Sequence, residues 1–394
     1  MIDKIKNIAN SIADDVIGYR RHLHANPELS FEEYKTSEFI QTILKENDIP
    51  FKSGIVKTGV VACIEGRNPQ SKVIALRGDM DALPIQEDTD LPFASKNEGV
   101  MHACGHDIHT SSLLGCAIIL NQLKSEFEGT VKFFFQPGEE LLPGGAKLMI
   151  EEGVLENPTV ENILGQHVFP DMEIGKVGFR SGMYMASADE IYLTITGKGG
   201  HGALPHKCID PILIASHTIV ALQQIVSRHA NPGTPTVLSF GHIEGKGATN
   251  VIPNEVKLKG TFRTFDEKWR FEAHDKIRSI VQQTVQGMGG KADLEIKVGY
   301  PFLTNDEKTT LNARKAAQEF LGKENVVDLD LRMTAEDFAY FSQKSPGCFY
   351  RLGTSNASKN INGSLHHPQL LLDDDVLKFS TGLMAYMAIC QLKS

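Results

Sequence analysis

Apolar residues recur at helical spacing from the first turn of the chain. Ile5, Ile8, Ile12 and Val16 or Ile17 share one face, which predicts an amphipathic helix over 2–24. A second helix is predicted after Ser30, with Glu33 three positions on completing a capping-box pattern. The period then shortens. "VVACIEG" and "KVIALRGDMDA" are β-branched runs that read as strands. "HTSSLLGCAIILNQL" reads as a buried helix, and "TVKFFFQPGEE" as a buried strand ending at Pro137. A short helix around Gly145–Glu152 and a strand at "NILGQHV" follow. Strands alternating with helices predict a mostly parallel sheet covered on both faces.

Near Ala188 the pattern changes. "DEIYLTITGKG" alternates with period two, as a half-exposed strand does. "DPILIASHTIVALQQIVSR" is a helix with Asp210 as N-cap and Pro211 in the first turn. Strands at "PTVLSFGHIEG" and "EVKLKGTFRTF", a helix at 267–288 and a strand at "ADLEIKVG" complete a β-α-β-β-α-β order, the ferredoxin-like unit. Beyond it come a helix at 307–321, a strand near "VVDLD", a helix at "AEDFAYFSQ", a strand at "CFYRLG" and a closing helix at 374–391. The expectation is one discontinuous α/β domain, residues 1–187 and 297–394, interrupted by an inserted ferredoxin-like domain at 188–296.

Composition narrows the class. The chain has 394 residues, 41% hydrophobic and 23% charged, as a globular protein of two domains does. A net charge of −9 without a basic cluster argues against nucleic acid. No apolar run is long enough to span a bilayer, and the charged N-terminal helix does not read as a signal peptide. Six scattered cysteines predict free thiols in a reducing cytoplasm.

Chemistry-bearing residues gather where strands end. "RGDMDALP" carries Asp79 and Asp81, "ACGHD" carries Cys104, His106 and Asp107, "QPGEE" carries Glu139 and Glu140, and "GQHVFP" carries His167. "LHHP" adds His366 and His367. Taken singly, each has a plain structural explanation: a hydrogen-bonded core histidine, a solvated helix start, turn aspartates, a small buried cysteine. Taken together, thiolate, imidazole and carboxylate beyond the carboxyl ends of parallel strands predict a metal site. Two adjacent glutamates cannot point the same way. One can bind a metal while the other handles the proton of a water molecule.

"RGDMDALPIQE", "MHACGHDIHT", "QPGEE", "GGHGALPH", "GTFRTFD" and "LHHP", in this order, resemble the M20 metallopeptidase family, in its aminoacylase-like amidohydrolase branch. The resemblance runs from about residue 15 to the C-terminus. It implies metal ligands at Cys104, His106, Glu140, His167 and His366, with Cys104 bridging and Glu139 as general base. Asp81 would orient a ligand. Many M20 enzymes place a ligand histidine where this chain has Asp79, and the Cys104–His106 pair would replace it. Of His366 and His367, spacing to Pro368 selects the first. The inserted domain would be a lid and dimerisation domain, with His201 donating to the oxyanion and Asn250 and Arg263 holding the substrate carboxylate.

The implied enzyme is a cytoplasmic homodimer holding two divalent ions per subunit (zinc, manganese, cobalt or nickel). It would cleave an acetyl, benzoyl or similar group from an N-acyl amino acid, by attack of metal-bound hydroxide with Glu139 as base. A dipeptidase or carboxypeptidase on the same scaffold is the alternative within that class. Two rivals lie outside it: a thiol hydrolase using Cys104 with His106 or His109, and a binding protein without turnover.

Overall fold

A computed structural model describes all 394 residues. The chain divides into two compact units, one comprising Met1–Tyr184, Thr304–Asp330 and Asp337–Ser394, the other Met185–Leu303 with Leu331–Glu336.

The first unit is built on an eight-stranded mixed sheet. Its strands run, in spatial order, Phe51–Ile55, Gly59–Glu65, Thr130–Gln136, Val73–Asp79, Asn162–Glu173, Gly347–Ser355, Val177–Phe179 and Val326–Asp328. The four central strands, Thr130–Gln136 to Gly347–Ser355, are parallel to one another, and each end of the group pairs antiparallel with the next strand outward. They are rich in β-branched and aromatic residues because both faces are covered, and three of the four are buried along most or all of their length. Helices His106–Gln122 and Leu377–Leu392 supply much of that cover; both carry apolar residues almost all round, the pattern of a helix enclosed by protein. Because Arg77 pairs with Gly165, the neighbouring strand brings His167 level with Asp79, where the strand Val73–Asp79 ends.

Two sequence expectations change here. The single helix over 2–24 is two, Ile2–Ser11 and Ala13–Ala25, with a bend at Ile12 (φ −106°, ψ 2°). The Ser11 hydroxyl donates to the Ile8 carbonyl at 2.8 Å, local bonding of the kind that bends helices. The bend lets Ile5 and Ala9, then Val16 and Leu23, each face the core. The capping box at Ser30 and Glu33 does not form. The helix starts at Tyr34, and its free Lys35 and Thr36 N–H groups donate to the Glu28 carboxylate at 3.2 and 2.8 Å. Ser30 and Glu33 bond elsewhere.

The second unit has strands Asp189–Thr196, Thr236–Glu244, Glu255–Thr264 and Lys291–Val298 and helices Pro211–Leu222 and Glu267–Gly287. The sheet is antiparallel, in the spatial order second, third, first, fourth, which is the ferredoxin-like arrangement that the β-α-β-β-α-β pattern predicts. Asp210 caps its helix as expected, accepting from Ile212 and Leu213 N–H. One face of the sheet packs Ile191, Leu193, Leu258 and Phe262 against Ala273, Ile277 and Val281. No helix of either unit is long and apolar enough to cross a membrane.

A buried charge cluster pins this unit together. The Asp189 carboxylate accepts from Arg270 Nε (2.9 Å), His274 Nε2 (2.7 Å) and the Gly299 N–H (3.1 Å). Burial alone would raise its pKa, but the hydrogen bonds from His274 and Arg270 hold it below the usual carboxylate range. Asp189→Ala leaves the buried Arg270 and His274 with only the partly exposed Glu267 carboxylate on Arg270, and should destabilise the unit by up to about 3–5 kcal/mol. Chemical denaturation followed by a probe in the second unit checks this; a loss near that of an ordinary surface substitution is the contrary result.

Candidate metal centre

Four backbone segments deliver the polar groups. Asp81 lies just beyond the strand Val73–Asp79, Glu139 and Glu140 beyond Thr130–Gln136, and His167 within Asn162–Glu173. Cys104 and His106 flank Gly105, whose φ of +81° turns the chain into the helix His106–Gln122. A β-carbon at Gly105 would lie 2.5 Å from Val168 Cγ2, so only glycine allows this turn beside the His167 strand. The helix start is anchored from behind: Arg20 Nε and His24 Nδ1 each meet the Asp107 carboxylate at 2.8 Å.

His106 and His167 each have one ring nitrogen committed and one aimed inward. His106 Nδ1 donates to the Asp81 carbonyl at 2.9 Å, with Asp81 Oδ1 at 3.2 Å, which leaves Nε2 as the free electron pair. His167 Nδ1 donates to the Val168 carbonyl at 2.8 Å, and its Nε2 lies 3.4 Å from Cys104 Sγ. His366 has a left-handed backbone (φ +61°) and its N–H bonds the Ala103 carbonyl at 2.7 Å, which seats it beside Cys104. His366 Nε2 lies 3.2 Å from Glu140 Oε1. His367 is turned to its own loop, where Nδ1 accepts from Gln369 N–H.

The donor atoms form overlapping groups, each with all members within 4.8 Å of one another: Cys104–His106–His167, Cys104–Glu140–His366 and His106–Glu139–Glu140. Cys104 belongs to two of them, and the five expected ligands form one connected cluster with Glu139 at its side. Electrostatically the cluster calls for a cation. Hydrogen bonds to Cys104 and Glu140 push His366 up to about 10. Burial alone would lower His106, but Asp79 and Cys104 carry it well above the usual histidine value. Buried His106 Nε2 makes no hydrogen bond and lies 3.9 Å from Glu140 Oε1. A divalent ion satisfies both, and the thiolate–imidazole–carboxylate set suits it.

A thiol nucleophile fits poorly. Burial and the Glu140 charge push the Cys104 thiol up, the opposite of an activated cysteine. His109 is no base for it: Nδ1 meets Asp79 Oδ1 at 2.6 Å and Nε2 accepts the Val168 N–H at 2.9 Å. Burial and Arg351 hold His167 well below the usual value, which makes it a weak proton acceptor.

Asp81, fully buried, ties two of the expected ligands together. Its Oδ1 faces His106, while Oδ2 accepts the Ser30 hydroxyl at 2.6 Å and the Glu140 N–H at 3.0 Å. Asp79 is engaged differently. Arg77 NH1 bonds its Oδ2 at 2.5 Å, and Arg77 above all holds it well below the carboxylate range against the cost of burial. Arg77, Gln136 and Asp337 are buried supports that the sequence pattern left unread, and His109, expected only as a possible base for a thiol, is a fourth. The available signal was a charged residue in the middle of "VIALRGD", an otherwise buried strand.

His201, Asn250 and Arg263 belong to the second unit. Gly200–His201 pairs with Val251–Ile252, and the Gly202 N–H bonds the Asn250 carbonyl at 2.8 Å, so His201 and Asn250 are neighbours on exposed backbone. The Ala203 N–H donates to His201 Nδ1 at 3.1 Å, which puts the ring proton on Nε2. Arg263 is half-buried, with NH1 on the Met333 carbonyl at 3.1 Å.

Residues 75–389 match the Peptidase family M20/M25/M40. The chain belongs to this family. As an M20 protein it is a hydrolase of amide bonds. It is 42% identical to the N-acetyl-L-cysteine deacetylase of Bacillus subtilis strain 168, over 93% of this chain and 86% of that one. It is 38% identical to thermostable carboxypeptidase 2 of Saccharolobus solfataricus, over 99% and 98%. Among solved M20 structures, the YxeP protein of Bacillus subtilis, a dinuclear metal binding peptidase, matches with a TM-score of 0.83 at 38% identity, covering 97% of this chain and 99% of that one. The donor clusters and this M20 neighbour support divalent-metal binding.

Cys104→Ser and Glu140→Gln should each lower the bound metal per chain after dialysis, whereas His367→Ala should leave it unchanged. Elemental analysis of the purified variants decides, and full occupancy in Cys104→Ser is the outcome that contradicts the arrangement.

Proposed function

We propose that this chain removes an acetyl, benzoyl or similar acyl group from the nitrogen of an amino acid. The observation that carries the reading is the pair of donor groups sharing Cys104, with Glu139 beside them, in a chain 42% identical to a deacetylase. We assign Cys104, His106, Glu140, His167 and His366 as the residues that would hold two divalent ions, Cys104 being common to two of the donor groups. Zinc, manganese, cobalt and nickel all suit this donor set. Bound divalent metal supplies Lewis acidity and lowers the pKa of a coordinated water to about 7.

The chain's own groups do the rest. Glu139 takes the proton from the attacking water as a carbon–oxygen bond forms at the acyl carbon. The His201 Nε2–H donates to the oxygen that gains negative charge. Glu139 returns the proton to the leaving nitrogen as the carbon–nitrogen bond breaks, releasing a carboxylic acid and an amino acid. Asn250 and Arg263 hold the amino acid's carboxylate, and Asp81 keeps His106 and the Glu140 backbone in register.

We further assign residues 1–187 and 297–394 to the catalytic domain, and residues 188–296 to a lid that also forms a homodimer. The surface of the second unit supports the dimer. Helix Pro211–Leu222 exposes Ile212, Leu213 and Val220, and the edge strand Thr236–Glu244 exposes Ile243. The opposite edge, Lys291–Val298, carries alternating charges that discourage pairing. Six unpaired cysteines support a cytoplasmic location. The carboxypeptidase reading draws on the Saccharolobus relative and differs only in the acyl group accepted.

Chelation should abolish turnover, and one of the four ions should restore it on N-acetyl or N-benzoyl amino acids. Faster release from dipeptides or longer peptides favours the carboxypeptidase reading instead. Glu139→Gln should keep its metal while losing about 10²–10⁴-fold in rate; a variant that turns over normally removes Glu139 from its role.

Subunit mixing tests the lid. If His201 serves the partner's site, inactive Glu139→Ala and His201→Ala homodimers should regain activity when their subunits exchange. In the heterodimer, one site then holds both an intact Glu139 and an intact His201. Verified heterodimers, tagged differently and purified together, that show no gain in rate overturn action in trans.

A further inference from the structure

The turn that carries Glu139 is held from behind by a second, buried glutamate. Glu33 is 0% exposed at the start of the helix Tyr34–Glu46. Its Oε1 accepts both the Gly138 N–H (2.8 Å) and the Phe31 N–H (2.9 Å), and its Oε2 accepts the Thr58 hydroxyl (2.6 Å). Phe31 and Gly138 both have left-handed backbones, φ +65° and +60°. A β-carbon at Gly138 would lie 2.4 Å from Phe31 Cζ, so the Phe31 ring lies across the Gly138 peptide. An aromatic residue in the left-handed region is strained, and surrounding contacts must hold it there. Service to its own helix does not explain Glu33, because Glu28 takes the free N–H groups at that end.

We propose that Glu33 is a positioning residue for Glu139: by holding the Gly138 peptide, it sets the direction in which the base leaves the turn. This inference rests on the reading of Glu139 as general base. What Glu33 supplies is the reach of an acceptor oxygen and not a negative charge. Both N–H donors land on a single oxygen, which a neutral carboxyl or carboxamide retains. The other oxygen faces a hydroxyl, which can accept a hydrogen bond as well as donate one.

The surroundings agree. Thr58, Phe31 and the Gly138 N–H are neutral, and the charged group that acts on Glu33 is Asp81, of like sign. Burial first and Asp81 second push Glu33 up to about 7. A folded-state value above the unfolded one favours the protonated form. The associated stability is complete below the unfolded value and is lost as pH rises through about 7.

The test compares Glu33→Gln, which keeps length without charge, with Glu33→Asp, which keeps charge but is one methylene short. Both are measured as metal-loaded enzyme for kcat, KM, metal content and denaturation midpoint against pH. Glu33→Gln should keep kcat near wild type and lack the fall in stability through neutral pH. Glu33→Asp should lose kcat on the order of 10²-fold, the scale of a small misplacement of a reacting group, with KM and metal content unchanged. Wild-type kcat in Glu33→Asp overturns the proposal. So does Glu33→Gln as slow as Glu33→Asp, because charge would then matter, and so does a loss that follows loss of metal.

Should Glu33→Asp fail to fold, Gly138→Ala takes its place: its methyl meets the Phe31 ring, and metal-replete protein should again lose kcat. Normal kcat there also overturns the proposal. Glu139→Gln is run alongside. Full turnover in that variant overturns the base assignment and this inference together, whereas an inactive Glu139→Gln with a fully active Glu33→Asp overturns this inference alone.

Discussion

The buried Arg77 guanidinium holds the first unit's site in place. Its NH1 meets Asp79, its Nε meets Gln136 at 2.7 Å and its NH2 meets Asp337 at 2.8 Å. Three separate segments are thus tied to one planar, permanently charged group at the ends of two central strands. The tie extends outward. Asp79 orients His109, His109 Nε2 accepts the Val168 N–H, and the Val168 carbonyl accepts a hydrogen bond from His167 Nδ1. Asp337 also accepts from Gln136 Nε2 and the Ala146 N–H. Removing one partner would leave buried charge less fully compensated, which is costly in a low-dielectric interior.

This arrangement explains which parts of the molecule were legible in its sequence. The strand and helix order was readable because buried parallel strands and a half-exposed antiparallel sheet have different hydrophobic periods, and the change near Ala188 marks where one gives way to the other. The donor residues were readable because thiol, imidazole and paired carboxylates sit just beyond predicted strands. Ser30, Glu33 and Asp79 were not. Their partners Asp81, Gly138, Thr58 and His109 lie elsewhere in the chain, and local spacing is silent about contacts made only in three dimensions. The false capping box shows the same limit: Ser30 and Glu33 have the right spacing, but tertiary partners outcompete the local ones. The bend at Ile12 likewise carries no proline or glycine signal.

Fold and metal site also impose opposite demands. The core gains by excluding water, yet Cys104, His106, His167 and Glu139 are all enclosed at its edge. Burial raises the Cys104 thiol and lowers His167, so each moves toward its neutral form. A cation reverses that balance for the thiol and makes use of the neutral imidazole. Metal binding and the final ordering of these loops are therefore thermodynamically coupled: ligand groups that must be deprotonated and close together favour the folded state more strongly when the ion is present.

Support for the site accordingly comes in two kinds. One is charged and unconditional: Arg77 stays protonated at any pH the protein meets, and it holds the Asp79 carboxyl well below the usual range. The other is neutral or conditional: backbone carbonyls select the tautomers of His106 and His167, and Glu33 holds the Gly138 peptide through one oxygen in either protonation state. Using dipoles and neutral acceptors nearer the reacting atoms leaves the charge there to be set by metal, Glu139 and substrate. If Glu139 is the proposed base, it changes protonation twice in each turnover, and a support whose hydrogen bonds survive protonation is better suited to holding it than one that depends on a counter-charge.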